Sequence, residues 1–267
     1  MMNPLTCLAV VLIIPGFVGT TYSQSPYRLS WELDGPLAAS AGLLGIGAIV
    51  VADNQNPLSS ADVEMLSPNN VNGFDRGATD NYSEDASTAS DWLVYATIAA
   101  PLALLTQDPA GSDWQTYLTM YAETMALTGF TAQLVKGSVP RTRPFVYNQE
   151  APLEPKLERD ARKSFYSSHS AFAFASAVFF SATYQAYFPK STLHGYVWAG
   201  SLLLASAVGS LRYVAGAHFP TDILVGAAVG SAIGYLIPLL HRADLGRMSV
   251  RPASDGDNAS LSVSFRF

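Results

Sequence analysis

Residues 194–241 consist of the runs HGYVWAGSLLLASAVGSLRYV, AGAHFPT and DILVGAAVGSAIGYLIPLLH. Two long stretches rich in Ala and Leu are separated here by a short segment that contains Gly and Pro. Neither long stretch shows the polar–apolar alternation that is typical of a half-buried strand. The pattern therefore predicts two helices, at 194–214 and 221–241, with a break between them.

The same pattern occurs at 36–52, 91–106, 113–136 and 168–187, which gives about six helices and predicts an all-α bundle. Between 53 and 91 the composition changes to Asn, Asp, Ser and Gly, which is typical of a long surface loop. No calcium-loop spacing is present in this stretch. We therefore interpret its carboxylates as solvated: Asp75, Asp80, Glu84 and Asp85.

The two ends of the chain have patterns of their own. An apolar run at 8–17 is followed by small and polar residues up to Ser23, which predicts an export signal at 1–23, with an uncleaved anchor as the alternative. Alternating residues on either side of Asp255-Gly-Asp-Asn258 predict a β-hairpin at 246–267. The helical domain would then cover 24–245, in an exported, periplasmic or envelope-membrane protein.

Composition limits the classes of function. Hydrophobic residues make up 49 % of the 267 and charged residues only 13 %, about half the usual share, so the chain either buries much surface or meets lipid. A net charge of −6 argues against nucleic acid as a partner. The single cysteine, Cys7, excludes an intrachain disulfide and a cysteine-based metal site. A soluble or peripheral domain and an integral one both remain open.

Three clusters carry the chemistry: 136–144 (KGSVPRTRP), 164–170 (SFYSSHS) and 212–222 (RYVAGAHFPTD). They contain cations and a hydroxyl that suit phosphate oxygens, and a predicted helix start at 168–169 that suits an anion. His218 and Asp222 are four residues apart, which on a helix puts them on one face. The carboxylate could then accept a hydrogen bond from one ring nitrogen and leave the other free as a nucleophile.

In this order, the clusters resemble the motif of the type 2 phosphatidic acid phosphatase superfamily. That motif is Lys, six residues and Arg-Pro; then Pro-Ser-Gly-His; then Ser-Arg, five residues, His, three residues and Asp. The resemblance is close over the motif core 136–222. Tyr166 replaces the Pro, Ser168 the Gly, and Leu211 the Ser before the Arg. If the family's Gly requires a positive φ, Ser168 would strain the loop.

The resemblance implies an all-α phosphatase that needs neither metal nor cofactor. His218 would attack phosphorus, Asp222 would orient it, and His169 would protonate the leaving oxygen. The remaining motif residues would hold the phosphate: Lys136, Arg143, Ser167, Ser168 and Arg212. The substrate would be a phosphorylated lipid or small molecule, a phosphomonoester or a diphosphate, with membrane association in the lipid case. A phosphohistidine intermediate would then be hydrolysed by water.

Two other interpretations of the sequence remain open. Vanadium-dependent haloperoxidases share this anion site, although their chains are usually much longer. A non-catalytic exported or membrane helical protein would be consistent with the departures at Tyr166 and Ser168. The other two histidines, His194 and His241, have no charged partner in their sequence pattern, and we interpret them as structural.

Overall fold

The computed structural model describes residues 25–52, 54–243, 248–255 and 258–265, so the predicted signal at 1–23 lies outside the described residues. The described part contains these α-helices: α1 Trp31–Val51, α2 Ser60–Met65, α3 Glu84–Ala99, α4 Trp114–Ser138, α5 Leu153–Lys156, α6 Ser168–Tyr187, α7 His194–Val214 and α8 Pro220–Leu240. Two strands, β1 Met248–Asp255 and β2 Asn258–Phe265, pair antiparallel.

The six long helices are those that the sequence predicts, with differences at their N-termini. The predicted start of the first helix at Pro36 is wrong, because α1 already begins at Trp31. Asp34 in its first turn accepts a hydrogen bond from the Ser30 backbone N–H, which stabilises this end of the helix. The helix predicted at 91–106 begins earlier, at Glu84, where the Ser83 side chain caps it, and continues beyond Ala99 as a 3₁₀ helix.

Helix α6 lies at the centre of the bundle and packs against α3, α4, α7 and α8, while α1 packs against α4. The α6–α8 contact is close because α8 presents glycine at every fourth position, namely Gly226, Gly230 and Gly234. These three glycines approach backbone carbonyl oxygens of α6 and of its N-cap. The ends of α6 and α8 that carry the motif residues are therefore held side by side.

Among the described residues, four helical segments are long enough and apolar enough to cross a membrane: 31–51, 84–106, 194–214 and 220–240. Large apolar side chains stand exposed along them, including Leu43, Ile49, Trp92, Leu203 and Leu224. A surface of this kind is unfavourable in water and suits contact with lipid.

We predicted that the carboxylates of the loop before α3 are exposed to solvent, and one of them is not. Asp80, Glu84 and Asp85 are exposed, as expected, but Asp75 is fully buried. The interpretation of Asp75 as solvated was therefore wrong. Its carboxylate accepts hydrogen bonds from Thr221 at the start of α8 and from Arg141, so this loop packs against the end of the bundle that carries the motif residues.

Candidate active site

The three sequence clusters meet at one end of the bundle. Lys136 lies in the last turn of α4, Arg143 in the following loop, His169 in the first turn of α6 and Arg212 in the last turn of α7. His218 lies in the short connection before α8. These side chains are mostly buried; the exposed fractions are 5 % for Lys136, 6 % for Arg143, 7 % for Arg212 and 1 % for His218. The bundle thus gathers three buried cations around one buried imidazole.

The imidazole of His218 has a defined tautomer. Its Nδ1 lies 2.7 Å from the Ser164 carbonyl oxygen, and a carbonyl can only accept, so Nδ1 carries the proton. The lone pair is then on Nε2, which lies 3.4 Å from Nη1 of Arg143. The nitrogen with the free lone pair therefore faces the guanidinium group of Arg143.

Asp222 supports this arrangement less directly than the sequence suggests. His218 lies before α8, which begins at Pro220, so the two residues do not lie on one face of a helix. The Asp222 Oδ2 atom lies 3.8 Å from His218 Nδ1, beyond a direct hydrogen bond. It accepts instead from the Ser164 hydroxyl at 2.6 Å and from the Phe219 backbone N–H at 3.0 Å. Asp222 thus fixes the backbone on both sides of the imidazole and places a negative charge close to it.

The charge state of His218 follows from these surroundings. Burial holds the pKa of His218 well below its usual value of 6.5, and the positive charges of Lys136, Arg143 and Arg212 lower it further. The imidazole is therefore neutral at physiological pH. A neutral ring with a free Nε2 lone pair is the form that can act as a nucleophile.

A carboxylate that we did not predict, Asp91 on α3, pairs with two of the motif residues. Its Oδ1 lies 2.8 Å from Nε2 of His169 and 3.5 Å from Nη1 of Arg212. Arg212 also donates to the hydroxyl groups of Ser87 and Ser90, while its Nε is buried without a hydrogen-bond partner. The α3 helix therefore forms one wall of the site. The sequence around Asp91 gave no motif by which to find it.

The other two cations have partners in the loop between α4 and α6. Arg143 forms an ion pair with Asp160 at 2.8 Å and donates to the Ala217 carbonyl at 3.0 Å. The Lys136 ammonium donates to the Lys163 carbonyl at 2.7 Å. Asp160 has a side chain 65 % exposed and is a second carboxylate that we did not predict. The ion pair thus joins a buried guanidinium to a carboxylate that faces solvent.

The two motif serines lie at the start of α6. Ser167 is its N-cap, and its hydroxyl accepts from the backbone N–H and the hydroxyl of Ser170, which leaves its own proton to be donated. Ser168 is the first helical residue. None of the described residues other than glycine has a positive φ, so Ser168 introduces no backbone strain in place of the family's glycine.

Arg141 contacts several residues of the site, although we did not predict it as a site residue from the sequence. One arm of its guanidinium reaches Asp75 at 2.7 Å, and the other bonds to Asp222 and to the Thr221 hydroxyl. It also stacks over the Phe219 ring, 4.4 Å from the ring centre. Arg141 therefore locks Asp222 to the loop before α3. Its position two residues before Arg143 was the available signal.

A protein-family model matches the part of the chain that contains the three sequence clusters. The family model described as "PAP2 superfamily" matches residues 117–245, which include every motif residue of the site. Over these residues, slightly less than half of the chain, the sequence is similar to the PAP2 superfamily. The family resemblance inferred from the three clusters is thereby confirmed. The match ends before β1, so it does not include the two paired C-terminal strands.

A curated relative, a lipid A 1-phosphatase of Porphyromonas gingivalis, is 33 % identical over 123 residues. The alignment covers 46 % of this chain and 23 % of the relative, so the chain spans about a quarter of that protein's length. Two solved structures are more distant in sequence. A transmembrane PAP2 type phosphatidylglycerolphosphate phosphatase from Bacillus subtilis is 19 % identical, with a TM-score of 0.47, over 79 % of this chain and 96 % of that one. LpxE of Aquifex aeolicus is 21 % identical, with a TM-score of 0.43, over 61 % of this chain and 90 % of its own.

Proposed function

We propose that this protein is a phosphatase that hydrolyses phosphomonoesters or diphosphates, in particular of lipids, through a phosphohistidine on His218 and without a catalytic metal. The observation that carries the proposal is the neutral imidazole of His218, whose Nε2 lone pair faces Arg143 among three buried cations. Phosphoryl transfer needs mainly positioning and stabilisation of charge on the equatorial oxygens. Lys136, Arg143 and Arg212 supply that charge.

The first half-reaction moves the phosphoryl group to the enzyme. The phosphate oxygens take the places of the Asp91 and Asp160 carboxylates on Arg212 and Arg143. Nε2 of His218 forms a bond to phosphorus while the bond from phosphorus to the ester oxygen breaks. His169, in its protonated form, gives a proton to that oxygen, and the alcohol leaves. The phosphoimidazole keeps its Nδ1–H on the Ser164 carbonyl.

The second half-reaction restores the enzyme. His169, now neutral, accepts a proton from water as the water oxygen attacks phosphorus. The N–P bond breaks, the electron pair returns to Nε2 of His218, and inorganic phosphate leaves. Asp222, 3.8 Å from Nδ1, stabilises the positive charge on the phosphorylated ring between the two steps.

The lipid substrate is supported by the surface of the protein. Four long apolar helical segments with exposed large side chains suit a membrane, and the site lies at one end of the bundle, where a headgroup would stand above the hydrocarbon. The relative from P. gingivalis bears the name of a lipid phosphatase. We propose that the chain is membrane-associated in the cell envelope; its export rests on the N-terminal pattern alone.

The test compares wild type with His218→Ala on p-nitrophenyl phosphate and on a short-chain phosphatidate, with EDTA present. Wild type should hydrolyse at least one substrate, and His218→Ala should have no measurable turnover. A matched control is His194→Ala, because His194 lies at the far end of α7 from the site, where its ring bonds the Phe188 carbonyl and packs against Tyr184; it should retain activity. A quenched reaction should yield an acid-labile, alkali-stable phosphoenzyme with wild type only.

The outcomes separate the candidate functions. The ratio of the two rates indicates a lipid or a soluble substrate. Hydrolysis by His218→Ala at the wild-type rate would remove the nucleophile that we assign. If folded wild type hydrolyses neither substrate, the proposal is contradicted for these substrates and a non-catalytic protein is favoured. Bromide oxidation with added vanadate would instead favour a haloperoxidase.

A further inference from the structure

A second cluster of ionisable side chains lies at the opposite end of the bundle from the active site. His241, directly after α8, meets Asp34 of α1 and Glu123 of α4, and all three residues are buried. Nε2 of His241 lies 2.9 Å from Asp34 Oδ1 and 3.4 Å from Glu123 Oε2. These charged partners of His241 are distant in the sequence, so its local pattern did not indicate them. The length of α8 puts this cluster about 30 Å from His218.

The imidazole of His241 is oriented as a ligand. Nδ1 lies 2.8 Å from the Ile237 carbonyl oxygen, so it carries a proton, and Nε2 faces Asp34 and Glu123, where its lone pair could bind a metal ion. A backbone carbonyl on the other ring nitrogen is the usual support of a histidine that binds a metal. The second oxygen of Asp34 accepts from the Ser30 backbone N–H, which fixes that carboxylate as well.

One buried carboxylate oxygen of the cluster is left without a hydrogen-bond partner. Glu123 is only 6 % exposed, and its Oε2, which points towards His241, has no hydrogen-bond partner. Two ionised carboxylates beside a neutral imidazole would place two negative charges in a buried site, which is very unfavourable without compensation. A divalent cation between the three ligand atoms would neutralise both charges and satisfy Oε2.

We propose that Asp34, Glu123 and His241 bind one structural Zn²⁺ ion. One imidazole nitrogen with two carboxylate oxygens suits zinc, whereas magnesium and calcium prefer oxygen alone. Zinc bonds of this type separate neighbouring ligand atoms by about 3.3 Å, close to the 2.9 Å and 3.4 Å observed from Nε2. The ion joins α1 and α4 to the end of α8 and takes no part in phosphoryl transfer.

The experiment measures zinc content and thermal stability of the full chain, purified in detergent with any affinity tag removed. After dialysis against Zn²⁺ and then against metal-free buffer, wild type and His194→Gln should keep about one zinc ion per chain. Glu123→Gln and His241→Gln should lose it. Adding Zn²⁺ at 100 times its Kd to chelated wild type should raise Tm by about 5–10 °C and should not raise that of the two site variants.

A measurement on wild type keeps the proposal testable if the site variants do not fold. Co²⁺ added to the chelated chain should give the visible absorption of a four-coordinate ion, and Zn²⁺ should abolish it. No Co²⁺ absorption and no rise in Tm with zinc would overturn the proposal and indicate that a proton balances the cluster. Equal zinc content in wild type and Glu123→Gln would overturn it as well.

Discussion

The close contact between α6 and α8 makes Gly226→Ala a sensitive test of how the site is held together. A Cβ atom at Gly226 would lie 2.4 Å from the Ser167 carbonyl oxygen and 3.3 Å from Ser170 Cβ. Ordinary contact between such atoms begins at about 3.5 Å, so the two helices would have to separate by about 1 Å. The carbonyl belongs to backbone, which cannot rotate out of the way as a flexible side chain would.

A separation of 1 Å at this point acts directly on the active site. The Ser167 backbone N–H donates to the Asp222 carbonyl at 3.1 Å, which joins the start of α6 to the start of α8. His169 lies two residues beyond Ser167, and His218 four residues before Asp222. We expect a loss of about 100-fold in kcat/KM, because displacements of 1 Å between reacting groups have that effect. Overpacking should also cost about 1–3 kcal/mol of stability, or about 3–10 °C in Tm.

Two further substitutions separate the effect on activity from the effect on stability. Gly234→Ala would bring its Cβ to 2.3 Å from the Ala175 carbonyl, a similar clash about 12 Å further along α8, so Tm should fall while kcat/KM changes much less. Gly200→Ala, at an exposed position of α7 with no atom within 4 Å, should leave both unchanged or raise Tm slightly. The reasoning is refuted if Gly226→Ala matches Gly200→Ala in both quantities, or if Gly234→Ala loses as much activity as Gly226→Ala.

Three other outcomes follow from the site. Arg141→Ala leaves the buried carboxylate of Asp222 without its cation and should lower the free energy of unfolding by about 3 kcal/mol, measured in denaturant, with Arg141→Lys intermediate. His169→Ala should lose most activity on alkyl esters but less on aryl esters with good leaving groups; equal losses in kcat would contradict its role as the acid. The pKa of His218 is lower in the folded protein than its usual 6.5, so the unfolded chain binds more protons near that pH. Tm should therefore fall as the pH drops below about 6.5. If His218→Gln shows the same dependence of Tm on pH as wild type, this explanation is contradicted.

The helices could be predicted from the sequence because their signals are local. Long runs of Ala and Leu with Gly or Pro between them placed α6 and α7 within the bounds that the structure gives. The start of α1 was missed because proline is common in the first turn of a helix, so we took Pro36 as the helix start. In the structure Pro36 lies inside α1. The acidic first turn with Asp34 was the signal for the earlier start.

The active site could be predicted only as far as its motif extends. The residues of the three clusters meet, but the partners that fix them do not belong to any local pattern. Asp75 is 66 residues from Arg141, and Asp91 is 78 residues from His169. The orientation of His218 depends on the Ser164 carbonyl, and a backbone acceptor has no sequence signature at all. Long-range ion pairs and backbone hydrogen bonds are therefore what the structure adds.

Two carboxylates that we did not predict also explain how the buried cations of the site are compensated in the absence of a bound anion. Arg212 and Arg143 are almost fully buried, and an unpaired charge there would be costly, so the carboxylates of Asp91 and Asp160 neutralise them. Both carboxylates have exposed side chains, 46 % and 65 %, whereas Asp222 is fully buried. Under the proposed function, a phosphate group would displace the exposed pair, while the buried carboxylate would stay beside His218. The difference in burial among the three acids would then separate the charges that a substrate replaces from the one that it needs.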